Sequence, residues 1–137
     1  MKKYIHKVQY YETDKMGITH HSNYIRWMEE ARIYFLEQIG FEYSKLEREG
    51  IISPVIGIEC EYKTATTFDN EIEIDVKVKE FKGVRLIIEY TMLNIKTGDL
   101  VAICISKHCF VNKEGKPIAL KKENQLLADA LSKLENK

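Results

Sequence analysis

The chain has 137 residues, of which 45% are apolar and 31% charged, an ordinary composition for one soluble globular domain spanning residues 1–137. Its 21 Lys and Arg balance 21 Asp and Glu, so it lacks the net positive charge of a duplex-binding protein, although a local basic patch for one anionic ligand stays open. The three cysteines, Cys60, Cys104 and Cys109, match no common zinc spacing and read as small buried hydrophobes. Residues 1–11 are too polar for a secretory leader, and no apolar run approaches the roughly 18 residues of a spanning helix. These features point to a reduced, cytoplasmic protein.

β-Branched and aromatic residues predict a strand over residues 3–11, which brings Tyr10 and Tyr11 to a loop containing Asp14. A helix is predicted over 23–39, with Ser22 or Asn23 as N-cap and Gly40 just past its end. Its polar residues Arg26, Glu29, Glu30 and Glu37 form one narrow stripe. Apolar residues, Ile25, Trp27 and Met28 among them, cover the rest, so the helix should be buried on several sides. Ser44 and Glu47 have the spacing of a capping box for a short second helix that Gly50 ends.

Four strands are predicted next, over 54–63, 71–79, 84–95 and 100–111. The second alternates Ile72, Ile74, Val76 and Val78 against charged residues, as a half-buried antiparallel strand does. The last two are apolar on both faces and belong at the centre of a sheet. The segments 68–70, 82–83 and 96–99 are turns, two of them Gly-containing hairpin connections. Residues from about 120 to 135 form an amphipathic helix with Leu127, Ala130, Leu131 and Leu134 on its apolar stripe. The class is α+β: five antiparallel strands curved around one long helix, followed by a C-terminal helix. The open edges of such a meander need cover, and pairing in a dimer supplies it.

The segment 14–24 carries the chemistry. A carboxylate, Asp14, is followed by Gly17, by His20 and His21, and by Ser22 and Asn23 at the start of the long helix. A helix N-terminus presents unpaired N–H groups and partial positive charge. A carboxylate beside such donors suits attack on, or hydration of, a carbonyl whose oxygen the donors hold. Asp14 alone also fits a turn, Gly17 a backbone requirement, and Ser22 or Asn23 a helix cap. A metal held by Asp14, His20 and His21 is disfavoured, because adjacent histidines are expected to point apart and zinc needs three or four converging ligands. His20 suits packing or an interface, and His6 and His108 fit structural roles in strands. Tyr10 reads either as a core tyrosine or as a hydrogen-bonding group near the site. Trp27 and Met28 read as core or pocket wall. No serine stands in a G-x-S-x-G elbow.

The element order and the residues Tyr10, Asp14, Gly17, Ile18, His21, Asn23 and Tyr24, followed by Trp27 and Ala31, resemble the hotdog-fold acyl-CoA thioesterases of the 4-hydroxybenzoyl-CoA thioesterase type. That resemblance implies a hotdog fold and hydrolysis of an acyl-CoA thioester. Asp14 would be the catalytic nucleophile or general base, and the His21 N–H would polarise the carbonyl. Gly17 would let the loop approach the acyl group, and Tyr10, Asn23 and Tyr24 would line the substrate site. It also implies a homodimer or homotetramer with sites shared across the dimer interface, and coenzyme A as part of the substrate, with no retained cofactor. Lys79, Lys82 and Arg85, around the Gly83 turn, would contact coenzyme A phosphates, or else form a solvated charged turn; Lys121 and Lys122 are a weaker pair. Lys15 and Met16 are bulkier than the small residues often found between Asp and Gly in that family, and the two histidines replace aromatic or small apolar neighbours. Rival readings are an acyl-carrier-protein thioesterase, a non-catalytic acyl-CoA binding module and a hotdog dehydratase.

Overall fold

A computed structural model describes residues 2–135. The strands are β1 (Tyr4–Lys7), β2 (Val55–Tyr62), β3 (Glu71–Phe81), β4 (Arg85–Asn94) and β5 (Leu100–Cys109). The helices are α1 (Ser22–Gln38), α2 (Tyr43–Arg48), α3 (Leu120–Glu123) and α4 (Gln125–Leu134). The strands form one antiparallel sheet in the order β1-β3-β4-β5-β2, so β1 and β2 are its edges and the two most apolar strands lie inside, as their composition requires.

The first strand is shorter than expected. Its ladder with β3 runs from Tyr4 opposite Ile74 to Lys7 opposite Glu71 and then stops. A 3₁₀ turn over Tyr10–Glu12 replaces its predicted second half, because the Glu12 carboxylate accepts the Gln9 N–H at 2.8 Å and curls the chain. Tyr10 and Tyr11 therefore stand 76% and 80% exposed rather than in the core.

The long helix is shifted by one residue, starting and ending one position early, and Gly40 ends it as expected. Gly40 adopts φ +95°, and the Phe41 N–H reaches the Leu36 carbonyl at 2.8 Å, which closes the helix through a left-handed glycine. Two positions reverse the expected pattern: Ile25 faces solvent, and Arg32 is buried, its Nη1 donating to the Tyr90 hydroxyl at 3.3 Å. Ser44 lies inside α2 and caps nothing; Glu42 occupies the cap position without a side-chain bond, so the expected capping box is absent. The C-terminal helix is broken at Asn124, whose side chain accepts the Leu127 N–H at 3.0 Å and restarts the chain as α4.

The described residues divide into two compact units. The first takes residues 2–35, 60–76 and 90–104. Its core holds Trp27, Met28 and Ala31 of α1 with Ile72, Ile74, Tyr90, Met92 and Val101 of the strands. There α1 touches β1 through the Trp27 and His6 rings, β2 through Met28 and Cys60, and β4 through Arg32 and Tyr90. The second unit takes residues 36–59, 77–89 and 105–135. Val78, Leu86, Ile88, Phe110, Leu120, Leu127 and Leu131 form its core, and Phe81 meets Phe110 edge to face. Among the described residues no helix is long and apolar enough to cross a membrane.

Replacing Asn124 with Ala should lower unfolding stability by about 1 kcal/mol, because the α4 cap is lost. Urea midpoints at unchanged slope would show it; an unaltered midpoint would mean that the cap contributes nothing.

Candidate active site

The loop after the 3₁₀ turn is a tight reversal. Thr13 and Thr19 pair as an antiparallel bridge, and the Asp14 N–H donates to the Ile18 carbonyl at 2.8 Å. The Gly17 N–H returns to the Asp14 carbonyl at 2.9 Å, and Gly17 takes φ +80°, a conformation that side chains resist. Asp14 Oδ1 accepts the Met16 N–H at 2.8 Å, the local Asx arrangement that fixes the carboxylate on its own turn. The carboxylate stays half-exposed and takes no other hydrogen bond among the described residues.

The chain then enters α1 through the two histidines. The His20 N–H donates to the Glu12 carbonyl at 2.8 Å, and the Asn23 N–H to the His20 carbonyl at 3.0 Å. The His20 ring, through Nδ1, faces the Ser22 hydroxyl at 2.9 Å and the Ser22 N–H at 3.3 Å. The His20 ring thus caps the helix, in place of the expected Ser22 or Asn23. Asn23 instead lies buried inside the first turn, with Nδ2 donating to the Glu12 and His20 carbonyls at 3.0 and 3.1 Å. The two imidazoles stack at 4.4 Å between centroids rather than pointing apart, because they sit in a turn and not in extended chain. Among the described residues the His21 N–H has no acceptor, and it stands at the positive end of a 17-residue helix. No three His, Cys, Asp or Glu side chains among the described residues converge as a metal set.

Glu12 organises this region and was not singled out from the sequence. It is 4% exposed and accepts from His6 Nε2, the Gln9 N–H and Trp27 Nε1, each at 2.8 Å. Burial by itself would raise its carboxyl pKa; the Gln9, Trp27 and His6 donors outweigh that and hold it below the usual carboxylate value. The signal was available: a Trp and a His read as core each carry a polar atom that must find a buried partner.

Tyr24 is buried as well. Its hydroxyl meets Thr66 Oγ1 at 3.1 Å, and that oxygen lies 2.6 Å from Thr19 Oγ1. Burial pushes the Tyr24 phenol up, so it stays neutral and acts as a strut between α1 and the loop. Tyr10 meets only the edge of Phe68 at 5.7 Å. Asp14, Gly17, His21, Asn23 and Tyr24 thus come together in the first unit. Lys82 and Arg85 are exposed in the second unit, where the Lys82 N–H donates to the Arg85 carbonyl at 2.9 Å and closes the β3–β4 hairpin. Lys79, Lys121 and Lys122 are exposed there too. His108 pairs with Ser106 Oγ at 2.7 Å, but both are fully buried, which suits a satisfied core pair rather than a nucleophile.

Comparison with known proteins places the fold. Residues 8–131 match the model of the thioesterase-like superfamily. The structure of a DHNA-CoA thioesterase from Staphylococcus aureus superimposes with TM-score 0.92 at 30% identity, covering 96% of this chain and 89% of that one. BH1999, a gentisyl-coenzyme A thioesterase, superimposes with TM-score 0.82 at 27% identity, covering 90% and 99%. The acyl-CoA thioesterase YbgC of Haemophilus influenzae is 26% identical over 118 residues, 85% of this chain and 86% of that one. The five-stranded antiparallel sheet and its long helix are therefore a hotdog fold.

The depressed Glu12 carboxyl supplies stability that is present above the unfolded-state pKa and disappears as pH falls through the folded value. Glu12→Gln should cost about 1–3 kcal/mol at neutral pH and flatten the loss of stability as pH falls below the usual carboxylate range. Urea midpoints measured across that range would check both; parallel curves for the two proteins would remove Glu12 as the acid-sensitive group.

Proposed function

The chain belongs to the thioesterase-like superfamily and is a thioester hydrolase, and on that premise we propose that it cleaves acyl-CoA thioesters to a carboxylic acid and free coenzyme A, with Asp14 as the catalytic carboxylate. The observation that carries the reading is the half-exposed Asp14 carboxylate, bonded only to the Met16 N–H, in the loop that leads to the unpaired His21 N–H of α1. The thioester oxygen takes the His21 N–H, where negative charge develops in the transition state. Asp14 either removes a proton from water as its oxygen bonds to the carbonyl carbon, or attacks that carbon itself and is released by water. In the first route the tetrahedral adduct collapses with loss of thiolate; in the second the C–S bond breaks as the Asp14 anhydride forms, before water hydrolyses that anhydride. Thiolate leaves in either case without help from a strong acid.

Gly17 keeps the loop backbone open to the acyl group, and Tyr10 flanks it. Asn23 and Tyr24 are positioning residues, since both are buried on internal partners. Lys82 and Arg85, with Lys79, offer the exposed cations that coenzyme A phosphates require. The working form is a cytoplasmic homodimer or homotetramer. Its support is the apolar surface around the loop, with Tyr10, Tyr11 and Met16 exposed, and the uncovered residues Val55, Ile56 and Tyr62 of edge strand β2.

Asp14→Asn should reduce kcat by about 10²–10⁴-fold while circular dichroism is unchanged. The assay is thiol release from DHNA-CoA, gentisyl-CoA and short and long aliphatic CoA esters. Equal turnover by both proteins would remove Asp14 from the chemistry. Single turnover in water labelled with heavy oxygen separates the routes, since label enters Asp14 only when it is the nucleophile. Lys82→Ala with Arg85→Ala should raise KM for acyl-CoA about tenfold and leave KM for the same acyl group on N-acetylcysteamine unchanged. Equal effects on both thioesters would place the phosphates elsewhere. Light scattering on the eluting protein should give a mass of two or four chains; a monomer that is fully active would overturn the shared site.

A further inference from the structure

Cys60 and Cys104 lie on neighbouring strands, β2 and β5. The Lys63 N–H donates to the Val101 carbonyl at 2.8 Å, which sets the register between them. Three residues back along β2 and three forward along β5, Cys60 falls directly opposite Cys104. The same register holds farther along, where a side chain added at Gly57 would meet that of Lys107 at 3.4 Å. Alternation of the ladder makes the cysteine pair a non-hydrogen-bonded one, in which Cα atoms approach to about 4.5 Å. Disulfides span Cα separations of about 4.4–6.8 Å.

The two thiols differ in surroundings. Cys60 is partly exposed, while Cys104 is fully buried. Cys60 Sγ lies 3.7 Å from Met28 Sδ. A hydrogen bond from Cys104, aided by one from Tyr62 and opposed by burial, brings the Cys60 thiol down to about 7. The same hydrogen bond to Cys60, and then burial, push the Cys104 thiol up. One sulfur thus has access to solvent and a lowered thiol pKa, and a second, fully buried, stands directly across from it. A sulfur that reacts first and another that resolves the product are the parts of an oxidant-reactive pair.

We propose that Cys60 and Cys104 form a peroxide-reactive dithiol site that closes to a cross-strand disulfide. The Cys60 thiolate attacks one peroxide oxygen, the O–O bond breaks, and hydroxide leaves with a proton as water, giving a sulfenic acid. The Cys104 sulfur then attacks Cys60 sulfur; its proton leaves with the departing hydroxide as a second water. Two thiols are oxidised and one peroxide is reduced. The site is independent of the role assigned to Asp14.

The test treats the folded wild type with hydrogen peroxide, followed by non-reducing digestion and mass spectrometry. A peptide pair joined through Cys60 and Cys104, reversed by dithiothreitol, is expected. Cys104→Ser should give no bridge and should leave Cys60 as a sulfenic acid trapped by dimedone. Alkylation of Cys60 at neutral pH should run on the order of ten times faster than that of free cysteine. A wild type whose bridges all involve Cys109, or whose Cys60 runs to sulfinic acid with no bridge, would overturn the proposal.

Discussion

One buried carboxylate ties this architecture to its chemistry. Glu12 accepts from a strand histidine, a turn amide and a helix indole at once. Its own carbonyl takes the His20 N–H and the Asn23 amide. A carboxylate leaves water at high cost unless several donors replace its hydration, and here three do. Their directions permit one placement of β1, the 3₁₀ turn and the start of α1. Removing any partner would leave charge in the core unmatched, which is why a single residue can govern the path of the chain before Asp14.

That path decides what the Asp14 loop offers. The reversal spends its internal hydrogen bonds on Asp14, Met16, Gly17 and Ile18, so its shape does not depend on a ligand. The threonine pair and Tyr24 hold its far side. Among the described residues, what the loop leaves available is a half-exposed carboxylate held only by the Met16 N–H and the His21 N–H at the helix start. An acyl-transfer site needs little else from the protein, because the leaving thiolate is stable and the carbonyl carbon is already electrophilic.

The hydrophobic alternation of β3, the hairpin glycines and the nearly continuous apolar cover of α1 are local properties, and they made the fold readable from composition and spacing. Gly17, the Gly40 helix end and the placement of Asp14 beside a helix start were readable for the same reason. Contacts distant in sequence were not. Spacing around Glu12 does not show that Trp27 and His6 converge on it, and that convergence is what accompanies the end of β1 at Lys7 and the turn that follows. Arg32 lies between Ala31 and Ile33, and its buried partner, Tyr90, comes 58 residues later. Adjacent histidines are expected to point apart in extended chain or loop, and the turn before α1 stacks them instead.

Each compact unit is assembled from three separate stretches, and α1, β2, β3, β4 and β5 pass from one to the other. Neither unit can be cut out, duplicated or exchanged as a continuous segment. During synthesis α1 emerges early, yet Tyr90, Met92 and Val101, which share its core, follow some sixty residues or more behind. The nascent chain therefore carries α1 with only β1 and the 3₁₀ turn against it until the later strands have left the ribosome.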